Sequence, residues 1–365
     1  VTADVVIRSG FAGYDREAIR NVLEGMIEAS GGWPAGLCPG ARVLLKVNML
    51  AAKKPSRAIT THPAVVAALA DLLIDRGCTV GVGDSPGGAV KGVRRYWENC
   101  GFLPLEDDPG VTLVNFEKSG SVEMSCEGFP YNISRALLDY DAVINVCKFK
   151  THMYTRLTNG VKNMFGAVPG LGKAWIHGLA PKPRDFAVHV ARICSLVETE
   201  LTVMDALQTL DGKGPSTDGR VRWDGVLGVA RDPVSLDMVC SKMAGLGPEE
   251  LDTTREARRL GLGKPWEEVK VDGWFGFTGF DIPRESILNR VPSFLGAPVR
   301  AVLKRAPESG DRCTGCGMCV ESCPTGAITL KNGRAVMNRR KCIMCLCCHE
   351  LCPENAVEIR LPLGR

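Results

Sequence analysis

The sequence predicts an α/β protein with a mainly parallel sheet flanked by helices, followed by a small C-terminal α+β unit. Three observations carry that expectation. Across residues 1–281 short apolar runs alternate with segments of helical periodicity, the pattern of crossover units in a parallel sheet. A stretch punctuated by Pro283, Pro292, Pro298 and Pro307 then breaks the composition. Beyond it, nine of the 16 cysteines crowd between Cys313 and Cys352. The 365 residues exceed the ~100–200 of one domain. The expected division is an α/β domain over 1–281, a linker over 282–307 and a cysteine-rich domain over 308–365.

The elements follow in order. Residues 4–8 and 42–47 read as strands, and 15–29 as a helix with Asp15 at its N-cap. Residues 62–76 form a second helix entered by Thr60 and Thr61, 79–83 a short buried strand and 90–100 a helix. Strands are expected at 142–147, 201–205 and 225–230, and helices at 184–197, 234–244 and 249–260. In the tail, 328–336 reads as a hairpin turning at Asn332 and Gly333.

The tail carries the most specific chemistry. Cys313, Cys316, Cys319 and Cys323 fall in the run C-x2-C-x2-C-x3-C-P, and Cys342, Cys345, Cys348 and Cys352 repeat it 29 residues later. Three close cysteines wrap one corner of a cubane, while the fourth, held before proline, is led away. In bacterial two-cluster ferredoxins, which the segment resembles, that fourth cysteine ligates the other cluster, and the resemblance implies one [4Fe–4S] cluster on Cys313, Cys316, Cys319 and Cys352. It implies a second on Cys342, Cys345, Cys348 and Cys323. Two zinc sites built from the same thiolates are the competing reading, and the doubled C-x3-C-P argues against them. Cys347 is surplus and reads as a free thiol beside the cluster, with service as an alternative ligand the competing reading. The segment resembles bacterial two-cluster ferredoxins.

The remaining chain offers a candidate ligand site. In open α/β sheets, ligands collect beyond the carboxyl ends of strands. Several expected strands end in polar chemistry: Lys46 and Asn48, Asp84 and Ser85, Lys148 through His152, and Asp205. His62 opens a helix, and a Gly/Asn-rich stretch carries Lys162, Asn163, Lys173 and His177. These ends are expected to converge, with His152, Lys162 and His177 catalytic. Lys46, Asn48, His62, Asp84, Ser85, Lys150, Asn163, Lys173 and Asp205 are expected to bind an anionic ligand. The bland readings are a helix cap at His62, a turn after Asp84 and solvated lysines. His189 reads as a satisfied core histidine. The seven cysteines before residue 241 read as small hydrophobes, with Cys147, beside Lys148, the one candidate for reactivity.

Composition excludes several classes. A formal net charge of +4 is too small a bias for nucleic-acid binding. No apolar run approaches the ~20 residues of a membrane span, and the first residues lack the pattern of an export signal. A cytoplasmic, reducing compartment is the expectation.

Taken together, the segments 46–48, 60–63, 83–85, 148–152, 160–163, 169–170 and 232–237 resemble the domain of unknown function 362 family. The resemblance implies an iron–sulfur protein of the kind associated with anaerobes and often fused to ferredoxin modules. A shorter stretch is similar to the lactate racemase family: His152, then Gly160 and Lys162, then Pro169 and Gly170, then His177. Carried over, that similarity implies a nickel-pincer cofactor tethered to Lys162, nickel ligated by His177, and His152 as an acid/base.

The resulting functional expectation is an iron–sulfur oxidoreductase. An external ferredoxin- or flavodoxin-like donor supplies low-potential electrons through two [4Fe–4S] clusters to a small anionic substrate in the α/β domain, or to a flavin or metal bound there. A histidine supplies the proton. Two alternatives stand beside it: a non-enzymatic electron carrier whose large domain docks a partner protein, and a racemase-like enzyme with the lysine-tethered nickel cofactor.

Overall fold

The computed structural model describes residues 2–88, 92–215, 218–283 and 306–360. The expected linker at 282–307 lies almost wholly outside the described residues, as does the start of the helix expected at 90–100. The first half runs Val5–Ser9 (β1), Arg16–Ala29 (α1), Arg42–Lys46 (β2), Pro63–Asp75 (α2), Thr79–Asp84 (β3), Arg94–Asn99 (α3) and Val111–Asn115 (β4). A hairpin of Ser121–Cys126 (β5) and Phe129–Ser134 (β6) leads to Ala142–His152 (β7) and Arg156–Thr158 (β8). Then come Gly160–Asn163 (α4), Gly172–Leu179 (α5), Pro183–Ser195 (α6), Leu201–Gly212 (β9), Gly219–Ala230 (β10), Pro233–Met243 (α7), Asp252–Arg259 (α8) and Val271–Asp272 (β11).

Nine of these strands form one mixed, mostly parallel sheet. Its order is β11-β1-β10-β9-β7-β2-β3-β4, with β8 paired to β7. The centre β9-β7-β2-β3-β4 is parallel, whereas β10 and β1 are antiparallel. Successive residues of β2 explain why helices cover both faces. Val43 and Leu45 pack with residues of α1 and α2, while Leu44 packs with Phe186 and Val190 of α6. Asp15 caps α1 by accepting from the Ala18 amide at 2.7 Å, and Ile19, Leu23, Met26 and Ile27 form its buried stripe. Pro63 at the first position and His62 at the N-cap open α2. Gly83 is required because a Cβ there would lie 2.6 Å from Phe116 and 2.7 Å from the Val114 carbonyl.

Two strands overrun the expected ends. β7 continues past Cys147 to His152, and β9 past Asp205 to Gly212. The charges that read as strand termini lie in the interior, because each lysine there finds a partner. The β7–β9 pairing shifts register between Lys148 and Lys150. β4 and the β5–β6 hairpin carry no signal strong enough to predict them; β5 alternates half-buried and exposed residues throughout.

The C-terminal part is small and antiparallel. Ala306–Ser309 (β12) pairs with Val357–Arg360 (β15), and Ile328–Lys331 (β13) with Arg334–Met337 (β14). Asn332 and Gly333 both take positive φ, as the expected two-residue turn demands. Two short helices, Met318–Glu321 (α9) and Cys347–Leu351 (α10), complete it. Among the described residues no helix is long and apolar enough to cross a membrane.

Candidate functional site

The carboxyl ends of the parallel strands feed two polar constellations rather than one. The first lines a cleft at the carboxyl edge of the sheet. His152, Lys162 and His177 all face it, as do Asn48, Asp84, Ser85, Lys150, Asn163 and Lys173. The second is a compact cluster of Tyr14, His62, Lys148 and Asp205. There Lys148 Nζ donates to Asp205 Oδ2 at 2.7 Å and to the Tyr14 hydroxyl at 3.2 Å. The His62 amide donates to the same carboxylate at 2.8 Å. Its ring stacks on Tyr14 at 3.4 Å, and its Nδ1 accepts from the Ala64 amide. His62 and Asp205 thus lie away from the cleft. Lys46 sits just behind its wall without lining it: it is fully buried and donates to Asp84 Oδ1 at 2.6 Å and to the Val47 carbonyl at 2.8 Å. The single convergence expected from the sequence is corrected in this respect. Lysines two residues apart on one strand meet different partners.

Within the cleft, an amide relay sets the floor. Lys150 Nζ donates to Asn48 Oδ1 at 2.7 Å and to the Ile59 carbonyl. Asn48 donates to Asn163 Oδ1, and Asn163 to Asn145 Oδ1, both at 2.8 Å. Asn145 closes the chain on the Gly160 carbonyl at 3.0 Å. Lys173 Nζ donates to Ser85 Oγ and to the Val168 carbonyl. Buried Asp237 anchors α4 by accepting from the Gly160 amide at 2.7 Å and the Val161 amide at 3.2 Å. Asn145 and Asp237 were not singled out from sequence as site residues. Their signal is a lone polar residue inside an otherwise apolar run.

The histidines are held neutral. His152 Nδ1 accepts from the Tyr154 and Thr155 amides at 3.0 and 3.3 Å, which leaves the ring proton on Nε2. Burial, with Lys162, His177 and Lys150 nearby, holds its pKa well below the ordinary value. Burial and Lys162 push His177 down to about 3, and its ring stacks on Phe186 at 4.1 Å. Burial pushes Lys150 down to about 7, with Lys162 adding to the effect, and Lys173 down to about 8. Cys147 is fully buried, and burial raises its thiol pKa well above the ordinary value, which disfavours the thiolate a reactive cysteine needs. His189 is satisfied as expected, sharing a 2.8 Å hydrogen bond with the Tyr131 hydroxyl.

The C-terminal part closes the cleft. Ser322, Cys347, Glu350 and Leu351 line it from that side, and Glu350 Oε1 lies 3.5 Å from His152 Nε2. A Cβ on Gly87 would lie 2.6 Å from Leu351. Lys53 Nζ donates to the Pro353 carbonyl at 2.6 Å and to Asn355 Oδ1 at 2.9 Å. The sequence reading did not single out Glu350, because the cysteine spacing around it masks any separate role.

The cysteines suit iron–sulfur ligation. All 16 are free. Cys319 has Cys313, Cys316 and Cys352 as electrostatic neighbours, and Cys348 has Cys345, Cys342, Cys319 and Cys323. A cavity is lined by Cys323, Cys342, Cys345 and Cys348 together. Backbone amides of Ala327, Ala335, Met344 and Ala356 donate to Cys323, Cys313, Cys342 and Cys352 at 3.2–3.4 Å. Such donors stabilise cluster thiolates.

Fold and site together define an iron–sulfur protein in which a 4Fe–4S domain abuts an α/β cleft. A 4Fe–4S binding domain profile matches residues 309–329. The domain of unknown function DUF362 matches residues 43–242, and the chain belongs to that family. One relative is the thylakoid-associated protein sll1697 of Synechocystis sp. (strain ATCC 27184 / PCC 6803 / Kazusa). It is 35% identical over 252 residues, which span 68% of this chain and 77% of the relative. Among solved structures, the lactate racemase apoprotein from Thermoanaerobacterium thermosaccharolyticum superposes with a TM-score of 0.37 at 8% identity. That match covers 60% of this chain and about half, 53%, of the racemase.

Proposed function

We propose that the protein is an oxidoreductase in which two [4Fe–4S] clusters deliver electrons to a small carboxylate substrate bound in the α/β cleft. The single observation that carries this reading is the position of α10. This helix holds the ligand candidate Cys348, and its Cys347, Glu350 and Leu351 form a wall of the same cavity as Lys150, Lys162 and His152. When bound, the clusters supply low-potential one-electron transfer; an external ferredoxin- or flavodoxin-like protein is the donor.

The chain's own residues do the rest. Lys150 and Lys173 carry ammonium groups at the cleft and hold the substrate carboxylate. His152 presents a neutral Nε2–H, a hydrogen-bond donor rather than a strong acid. The proton that the sequence reading assigned to a histidine therefore falls to Lys150 or Lys173, whose pKa values near 7 and 8 suit proton transfer at neutral pH. Leu351 and Phe165 limit water at the reacting end.

The test has two parts. Anaerobically purified protein should contain about eight irons per chain, as two cubanes require, and about four would overturn the two-cluster assignment. Dithionite-reduced protein, freed of excess reductant, should then be reoxidised faster by at least one of pyruvate, fumarate and crotonate than by buffer. No acceleration across the three overturns the substrate reading.

A further inference from the structure

Five lysines stand at the carboxyl ends of this sheet, and one differs from the rest. Lys46 is bound by Asp84, Lys148 by Asp205, Lys150 by Asn48 and the Ile59 carbonyl, and Lys173 by Ser85 and the Val168 carbonyl. Lys162 has no hydrogen-bond acceptor among the described residues. Its Nζ lies instead over the rings of Phe165 and Phe186, at 5.0 and 5.5 Å from their centroids, and its side chain lines the cavity.

We propose that Lys162 is a nucleophile that captures the carbonyl carbon of a small oxo-acid substrate as an imine. The proposal rests on the reading that the cleft takes a small carboxylate, and it narrows that class to acids with a reactive carbonyl. An amine attacks a carbonyl only when it is unprotonated and its lone pair is free. The four partnered lysines use their ammonium protons on fixed acceptors. Lys162, on apolar ring faces, has no such anchor among the described residues. Burial lowers its pKa, and Lys46 lowers it further, against the opposing charges of Glu350, Cys347 and Asp84.

The rest of the cavity suits the partner. Lys150 and Lys173 are placed for the carboxylate. His152 Nε2–H is a donor for the carbonyl oxygen as it gains charge on attack. The step balances without electrons. The amine nitrogen bonds to the carbonyl carbon as one of its protons passes to the carbonyl oxygen. The carbinolamine hydroxyl then leaves as water with a proton from the Lys150 ammonium, and the remaining N–H proton of the iminium returns to the Lys150 amine. The product is C=N plus one H2O. α4 holds the nucleophile in place, because Asp237 accepts the first two amides of that turn.

The probe is pyruvate with cyanoborohydride, applied to the oxidised holoprotein so that no cluster electrons are needed. Intact mass spectrometry should show one adduct: one pyruvate less one water plus two hydrogens. Peptide mapping should place it on Lys162. Acetaldehyde, which lacks the carboxylate, should label the same residue far more slowly. Lys162→Arg, checked for unchanged iron content and visible spectrum, should lose the adduct. Mapping of the wild-type protein decides the matter even if that variant fails to fold.

Labelling spread over exposed lysines, or centred on Lys150 or Lys173, overturns the proposal. Failure to label while pyruvate still reoxidises the reduced protein overturns the nucleophile and leaves the cleft's redox reading standing. Specific labelling without any reoxidation supports the nucleophile and overturns the redox reading.

Discussion

The cleft and the Tyr14–His62–Lys148–Asp205 cluster are fed by the same strands, yet they treat their lysines in opposite ways. In the cluster, Lys148 and Asp205 are both fully buried and satisfy each other, with Tyr14 and the His62 amide filling the remaining bonding positions. In the cleft, Lys162 points at open space and aromatic rings. A buried charge that is fully paired works as scaffold, since removing either partner strands the other. A cation left without a partner is costly unless a ligand supplies one, or unless the group works as a neutral amine. The difference separates residues that hold β7 against β9 from residues available for chemistry.

Stability measurements are the strongest way to break that contrast. Lys148→Met leaves the Asp205 carboxylate buried and uncompensated, and should cost about 3–5 kcal/mol in denaturant unfolding. Lys162→Met breaks no hydrogen bond or ion pair among the described residues and loses only the longer-range attraction to Glu350, so it should change stability by no more than about 1 kcal/mol. Equal losses would erase the distinction.

Gly166→Ala probes the border between the two regimes. Its Cβ would press on the Lys46–Asp84 pair, 2.7 Å from Lys46 Nζ. A loss of about 1–3 kcal/mol is expected in the same assay, together with weaker pyruvate binding, because Asp84 and Gly166 both line the cleft.

The pH dependence sharpens the comparison further. Lys150 and Lys173 titrate near 7 and 8 when folded, against an ordinary 10.5. On the proposed reading their ammonium forms bind the carboxylate. Pyruvate affinity, measured by calorimetry, should therefore be full below about pH 7. It should fall as the pH rises through 7–8, by up to about tenfold per unit for each coupled proton. Stability moves the other way. Between the folded and unfolded values the unfolded chain binds more protons, so these two groups make stability rise with pH from about 7 toward 10.5.

The smallest effect is expected at His62. Asn is at least as good an N-cap, so His62→Asn should cost less than about 1 kcal/mol, mostly from the lost Tyr14 stack, and leave pyruvate affinity unchanged.

Much of this was legible in the sequence. The alternation of apolar runs placed β1, β2, β3 and α1 to within a residue or two, and Asp15 announced its own cap. Asn332 and Gly333 announced the hairpin. The candidate cleft residues His152, Lys162 and His177 stood out as polar chemistry in Gly/Asn-rich surroundings. Other features were hidden for physical reasons. β7 looked finished at Cys147 because charge normally marks a surface, and Lys148 and Lys150 are inside only because Asp205 and Asn48 come to meet them. Asn145 sat within an apolar strand run, and Glu350 within a ligand motif, so neither stood out locally.

By itself, then, the sequence determined the periodicities that make a covered parallel sheet and the cysteine spacings that hold iron and sulfur, since both are properties of neighbouring residues. Only the tertiary structure decided which lysines are paired among the described residues and which is not, and that α10 forms a wall of the cleft. Those outcomes depend on contacts between residues far apart in the chain, such as Lys148 with Asp205 across 57 positions. Local spacing carries no record of which side chain will arrive from the far side of a fold.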